Sequence, residues 1–236
     1  LAEASSSPTL AALRLRWLET FPESQWFEYE PLSADHAREG ARRAFGQAYR
    51  CHLHLDRAEV IACLDADLFS GHPVAMRYAR QFAQGREPTG GKMSRMYAVE
   101  SRFSITGAAA DHRLPLRSGQ IAGCVTSLEA ELQRLLAGGA NATPAGPFIA
   151  ALAKDLATHR GRSVVAVGSG QPPQVHAAAH RINHLLGNVG HTVSYTQEPD
   201  ANRPPHMTAL TELVAQIKAG QDRVETLVVL GGNPVY

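Results

Sequence analysis

The residues best equipped for chemistry in this sequence stand directly after its apolar runs. Asp65-Ala66-Asp67 follows residues 60–64, and Glu100, then Thr106-Gly107 and Asp111-His112-Arg113, follow residues 96–99. Gly168-Ser169-Gly170 follows residues 163–167, and Gly231-Gly232-Asn233-Pro234 follows residues 226–230. Paired carboxylates such as Asp65 and Asp67 can hold a divalent cation, although a strand-end pair that caps the following turn is commoner. Gly168-Ser169-Gly170 could turn backbone N–H groups toward a phosphate at a helix start. It lacks the third glycine of the dinucleotide fingerprint and an acidic residue on the next strand end, so a tight turn is the better reading.

Histidines supply the other candidates. His176, His180 and His184 fall at i, i+4, i+8 and would share one helix face, a spacing that can hold a metal. They flank the apolar stripe of Val175, Ala179, Ile182 and Leu186, so interface or partly buried histidines explain them without a metal. Asp111-His112 with Ser104 or Ser169 would suggest hydrolysis, yet no nucleophile elbow precedes a helix. His52 and His54 alternate along one strand and read as a solvent-facing pair. No catalytic residue and no metal ligand set is assigned.

These loops need a scaffold that brings strand ends together. Residues 25–29 read as a short aromatic strand, and Ser33-Ala34-Asp35 opens a helix reaching residue 45. Residues 49–55 alternate like a half-exposed strand. Residues 60–64 are continuously apolar, as in a central parallel strand covered on both faces. Val74, Tyr78 and Phe82 recur at helical spacing after Pro73, and residues 96–99 form another apolar run. Thr126 with Glu129 matches a capping box, and Gly138-Gly139 ends the helix it would open. Beyond that lie a helix over 148–159, a strand over 163–167, a helix over 175–186 opened by Pro172-Pro173, then strand 192–195, helix 207–219 and strand 226–230. The alternation predicts an α/β fold of two Rossmann-like lobes, with parallel sheets covered by helices on both faces. The lead-in is residues 1–24, the first α/β lobe 25–137, the linker 138–146 and the second lobe 147–236.

The 236 residues are 44% apolar and 19% charged, enough to bury a substantial core without metal or disulfide help. Lys plus Arg is 23 against 22 for Asp plus Glu, which argues against a nucleic-acid partner. Cys51, Cys63 and Cys124 are too widely spaced for a zinc or iron–sulfur motif. No run of about 18 apolar residues is present to span a bilayer. Both ends are expected to lie within a longer protein.

The stretches 58–67, 97–100 with 106–115, 185–190 (Leu-Leu-Gly-Asn-Val-Gly) and Gly231-Gly232-Asn233-Pro234 occur in an order that resembles the molybdopterin oxidoreductase superfamily. In detail they look closest to the molybdopterin-oxidoreductase-like region of the iron–sulfur subunit of alternative complex III, the quinol:electron-acceptor oxidoreductase of bacterial respiratory chains. The resemblance covers most of residues 25–236. It implies that the loops bearing Asp65, Asp67, Glu100, Thr106, Asp111, Gly168, Gly170, Gly232 and Asn233 correspond to those that surround a pterin guanine dinucleotide in active relatives.

This sequence departs from that pattern. Two carboxylates stand where a Gly-x-Asn type turn is common, Glu100 replaces a typical aspartate, and the amino-terminal cysteine motif is missing. A carboxylate about 4 Å from a diphosphate costs about 1 kcal/mol in water and about 4 kcal/mol at an effective dielectric of about 20. The resemblance therefore implies a cofactor-free scaffold, with iron–sulfur clusters elsewhere in the parent chain. The partners it implies are the ferredoxin-like region of the same chain and the haem and membrane subunits of a respiratory complex, on the periplasmic side. The alternative is a piece of a catalytic enzyme that contacts molybdopterin through Gly168, Gly170, Gly232 and Asn233.

Overall fold

A computed structural model describes residues 1–5, 7–87, 93–139, 146–198, 200, 202–219 and 224–231. The chain divides into two compact units, Leu1–Asp35 with Pro199–Tyr236, and His36–Glu198.

The larger unit is built on a parallel sheet of order β4-β3-β2-β5, from β2 (Val60–Leu64), β3 (Arg95–Glu100), β4 (His112–Pro115) and β5 (Ser163–Val167). Period-two alternation divides the side chains of β2 between two cores. Val60, Ala62 and Leu64 join Val99 and Val165 beneath α5 (Ser118–Leu136), α6 (Pro147–Thr158) and α7 (Pro173–Leu185). Ile61 and Cys63 face the other way, with Met96, Val164 and Ala166. That second face is covered by α3 (Ala75–Gln84), through Tyr78 and Phe82, and by an antiparallel ribbon of β1 (Tyr49–Leu53) and β6 (Val193–Gln197). Every residue of β2 is buried, which is why its sequence is apolar without interruption. The α/β class, with a parallel sheet between covering layers, is as the sequence predicts.

The outer edge of β5 is closed by side chains. Val165 N–H donates to Asn183 Oδ1 (3.1 Å), and Asn183 Nδ2 donates to the Val165 carbonyl (2.8 Å). Asn188 Nδ2 donates in turn to Asn183 Oδ1 (3.0 Å), and Ser163 Oγ to Asn188 Oδ1 (3.1 Å). Thr192 Oγ1 donates to the Ser163 carbonyl.

Several expectations need correction. β5, assigned from sequence to a second lobe, pairs in parallel with β2 in register Ala62↔Val165, so residues 138–146 do not separate two sheets. Strand pairing is decided between segments far apart in sequence, which local pattern does not encode. Thr126 and Glu129 do not open a helix: α5 begins at Ser118, and Thr126 Oγ1 donates to the Ala122 carbonyl at 3.0 Å from inside it. The apolar stripe of α5 already includes Ile121 and Val125, upstream of the capping-box match. Residues 140–145 of the expected linker lie outside the described residues. β4 and the short helix α4 (Ile105–Ala109) were not anticipated.

The smaller unit holds α1 (Pro8–Thr20), inside the expected lead-in, and α8 (His206–Lys218). Its buried apolar core is Phe27, Ala209 and Leu213, with Leu1 against it. The strands expected at 25–29 and 226–230 are single parallel bridges, Ala2 to Glu28 and Ala2 to Leu230, because only the short segment around Ala2 lies between them. Asp35, at the start of α2 (Asp35–Phe45), accepts from Arg203 (3.0 Å) and from the His206 backbone N–H (2.7 Å).

Candidate functional site

Parallel strands end together, so ligand chemistry in such a sheet belongs at its carboxyl edge. Leu64 lies level with Val99 and with Val167, which sets Asp65, Glu100 and Gly168 side by side as the next residues.

Asp65 is the hub of this edge. It takes a left-handed conformation (φ 55°) and its N–H donates to the Val99 carbonyl (2.7 Å). Its Oδ1 accepts from Ser101 N–H (3.1 Å) and Ser101 Oγ (2.9 Å). Oδ2 accepts from Gln171 Nε2 (2.8 Å) and, more weakly, from Ser118 Oγ (3.5 Å). The Gln171 amide, 1% exposed, also reaches Ser118 Oγ at 3.0 Å. One carboxylate thus ties the loops after β2, β3 and β5 to the start of α5.

Of the other acids at this edge, Glu100 engages both oxygens and Asp67 engages Oδ1. Asp67 Oδ1 accepts from Thr106 Oγ1 (2.8 Å) and Thr106 N–H (3.3 Å), while Thr106 Oγ1 accepts from Phe69 N–H (3.2 Å). Glu100 is 5% exposed. It accepts from Arg113 Nε (2.5 Å), Ser104 Oγ (2.5 Å) and Ser104 N–H (3.4 Å). Ser104 Oγ also accepts from Gly107 N–H (2.9 Å) and so caps α4. A Cβ on residue 107 would sit 1.9 Å from Glu100 Oε1, so any larger residue there would have to push aside a carboxylate held by Arg113 and Ser104.

Gly168 has an equally internal reason. A Cβ there would stand 1.9 Å from the Asp65 carbonyl oxygen, and Gly168 N–H donates to the Leu64 carbonyl (3.0 Å). Gly170 has open space around it and no such constraint. Pro172 and Pro173 occupy the N-cap and first position of α7 and have no N–H to offer, while Val175 N–H returns to the Pro172 carbonyl (2.9 Å). The loop that could have presented amides to a phosphate therefore turns tightly into a helix start poor in free donors.

Asp111 does not belong to this edge. β4 runs parallel to β3 with Tyr97 level with His112, which places Asp111 at the amino ends of the strands. There it accepts from both nitrogens of the Arg86 fork (2.8 and 2.9 Å) and from Met96 N–H (2.8 Å). Desolvation raises the Asp111 carboxyl, but these donors outweigh it and hold it below the usual carboxylate range. His112 stacks beside Tyr97 (4.6 Å between centroids), Ser104 is committed to Glu100, and Ser169 follows Gly168 at the carboxyl edge while Asp111 lies at the amino ends, so the hydrolytic arrangement is not assembled. Gly232 and Asn233 lie outside the described residues.

The histidine face of α7 is split among different surroundings. His176 is buried, and burial together with nearby His36 pushes it down to about 4. His180 is likewise pushed to about 4, by burial and then by His176, and its Nδ1 lies 3.0 Å from the Tyr195 hydroxyl. His184 is exposed. Among the described residues, no three metal-capable side chains converge. Burial pushes the Cys51 thiol up to about 12 and Cys124 to about 11, far from the thiolate form that ligates metals.

Sequence reasoning missed Ser101, Gln171 and Ser118, and it read Ser104 and Arg113 for other roles than the one they have, as donors to the acidic edge. Nothing in their spacing marks them, because the segment after β3, strand β4, the start of α5 and the loop after β5 meet only in the fold. Compared with protein-family models and with curated proteins, the chain matches none.

Proposed function

We propose that this chain is a cofactor-free, molybdopterin-oxidoreductase-like scaffold region of the iron–sulfur subunit of a respiratory quinol:electron-acceptor oxidoreductase. The observation that carries the reading is the state of the carboxyl edge, where Asp65 and Glu100 engage both oxygens with Ser101, Gln171, Ser104 and Arg113, and Asp67 engages one with Thr106. These residues do not fit the diphosphate of a pterin guanine dinucleotide. Their charges oppose it, and the gap beside Gly168 is already taken by the Asp65 carbonyl. What the edge does instead is lock the strand-end loops into one shape, the property a scaffold needs when it holds redox centres carried by its neighbours.

In this role the region packs against the ferredoxin-like part of its own chain and against a haem subunit. Membrane attachment on the periplasmic side comes through those partners, and among the described residues no helix is long and apolar enough to cross a membrane. The open surroundings of Gly170 favour the rival reading, a piece of a catalytic molybdopterin enzyme. Metal and pterin analysis of the full-length subunit purified from its native membrane separates the two. Iron without molybdenum or pterin is expected; molybdenum with pterin near one per chain would overturn the scaffold reading.

A further inference from the structure

The outer face of the β1–β6 ribbon is a second feature, remote in its chemistry from the acidic strand ends. Cys51 and Tyr195 pack toward the sheet, so the alternating residues Arg50, His52 and His54 face outward. Each is fixed by a cross-strand partner: Arg50 by Glu198 (3.0 and 2.7 Å), His52 Nε2 by Thr196 Oγ1 (2.8 Å), His54 Nε2 by Ser194 Oγ (2.9 Å). Beyond His54 the chain makes a tight turn, Leu55–Arg57, and Arg57 Nη1 reaches the His191 carbonyl (3.4 Å). From α3, Arg77 lies over the Tyr78 ring (5.3 Å), whose hydroxyl accepts from Leu53 N–H (3.4 Å). His72 stands on the other contact of that ring, 4.8 Å between centroids.

Two guanidiniums and several imidazoles therefore gather on one rim, with the exposed carboxylate of Asp56 in the same turn; His54 is lowered by desolvation and Arg57, raised by Asp56 and lowered again by Arg77. Among the described residues, neither arginine has a carboxylate within ion-pair distance, and Glu198 is already taken by Arg50. Met76, 86% exposed, stands next to Arg77. Exposed Met and Arg without Lys is the composition of a protein–protein contact, and it lacks the aromatic and aliphatic wedge that seats a protein in a bilayer.

We propose that this face, centred on Arg57 and Arg77, docks an acidic segment of a partner protein. The positive rim supplies the steering, and Met76 supplies an apolar contact at its border. The proposal does not depend on the scaffold reading.

The test uses the full chain and a fluorescent polyglutamate peptide, followed by anisotropy at low ionic strength and neutral pH. Arg57→Gln with Arg77→Gln should weaken binding about tenfold, and added salt should abolish it. Arg42→Gln with Arg43→Gln, which removes the same charge from α2, should change it little. Arg57→Gln alone, at an exposed turn, gives a smaller loss in the same direction and serves if the double variant misfolds by circular dichroism. No binding, or equal loss from both double variants, overturns the proposal. Tighter binding to phosphatidylglycerol-rich vesicles or to single-stranded DNA than to the peptide also overturns it, by giving the face to another class of partner.

Discussion

Replacing Asp65 by Asn removes one charge while keeping shape, and it separates a structural carboxylate from one left facing a ligand. Asn tolerates the left-handed backbone at φ 55° as well as Asp does, so no strain is added. The Asn oxygen can keep both bonds from Ser101, but its NH2 then meets the Gln171 amide, which donates to Asp65 Oδ2 at 2.8 Å. If the Gln171 amide turns over, its own NH2 loses both Asp65 and Ser118 in a site 1% exposed. Either way a buried donor is left unmet, a cost of about 1–3 kcal/mol. Taking about 2 kcal/mol, a unit of this size should melt about 4–8 °C lower. Urea denaturation and calorimetry of Asp65→Asn, Gln171→Leu and the double variant give the coupling between them. The two changes should be strongly non-additive, because the second removes an interaction the first has already broken. An unchanged or raised melting temperature for Asp65→Asn would refute the reasoning and leave Asp65 a spare charge at a ligand edge.

The glycines of the β5–α7 loop make a paired test. Gly168→Ala drives a methyl into the Asp65 carbonyl and should cost about 3 kcal/mol or more, whereas Gly170→Ala enters open space and should stay within about 0.5 kcal/mol; equal effects in urea melts would show the loop to be built for something outside it. His176 and His180 are held near 4 when folded against about 6.5 when unfolded, so the unfolded chain binds the protons the folded chain refuses. Stability is complete above about pH 6.5 and falls as acid is added toward about pH 4, by about 2 kcal/mol per histidine at pH 5. His176→Gln and His180→Gln should flatten urea midpoints measured between pH 7.5 and 5; an unchanged slope would mean the imidazoles are solvated. Asn183→Leu strands the Val165 N–H and carbonyl in the interior and should cost about 2–4 kcal/mol in denaturant unfolding, whereas a near-neutral result would mean water replaces the amide.

Much of the architecture was legible because it is written locally. The unbroken apolar run 60–64 reads as a strand covered on both faces, and Pro172-Pro173 with Gly187 bracket α7 much as proline and glycine commonly bracket helices. Pairing was not legible, since β5 meets β2 across about a hundred residues and nothing local distinguishes one sheet from two. The acidic strand ends were visible, but whether a carboxylate repels a ligand or clamps a loop depends on donors that only the fold delivers. Asp111 shows the limit most sharply: the short parallel strand β4, unread in the sequence, carries it to the opposite end of the sheet.

The side-chain amide of Asn183 occupies the place where the backbone of another strand would bind, offering Val165 the same acceptor and donor. An edge strand ordinarily invites growth, by recruiting a neighbour molecule or by seeding cross-β stacking. Here one side chain is a chain terminator for that polymerisation: it mimics a single residue of the missing strand and has no second edge of its own to pass on. Loss of Asn183 would therefore cost more than stability, because it would reopen a template for self-assembly at high protein concentration.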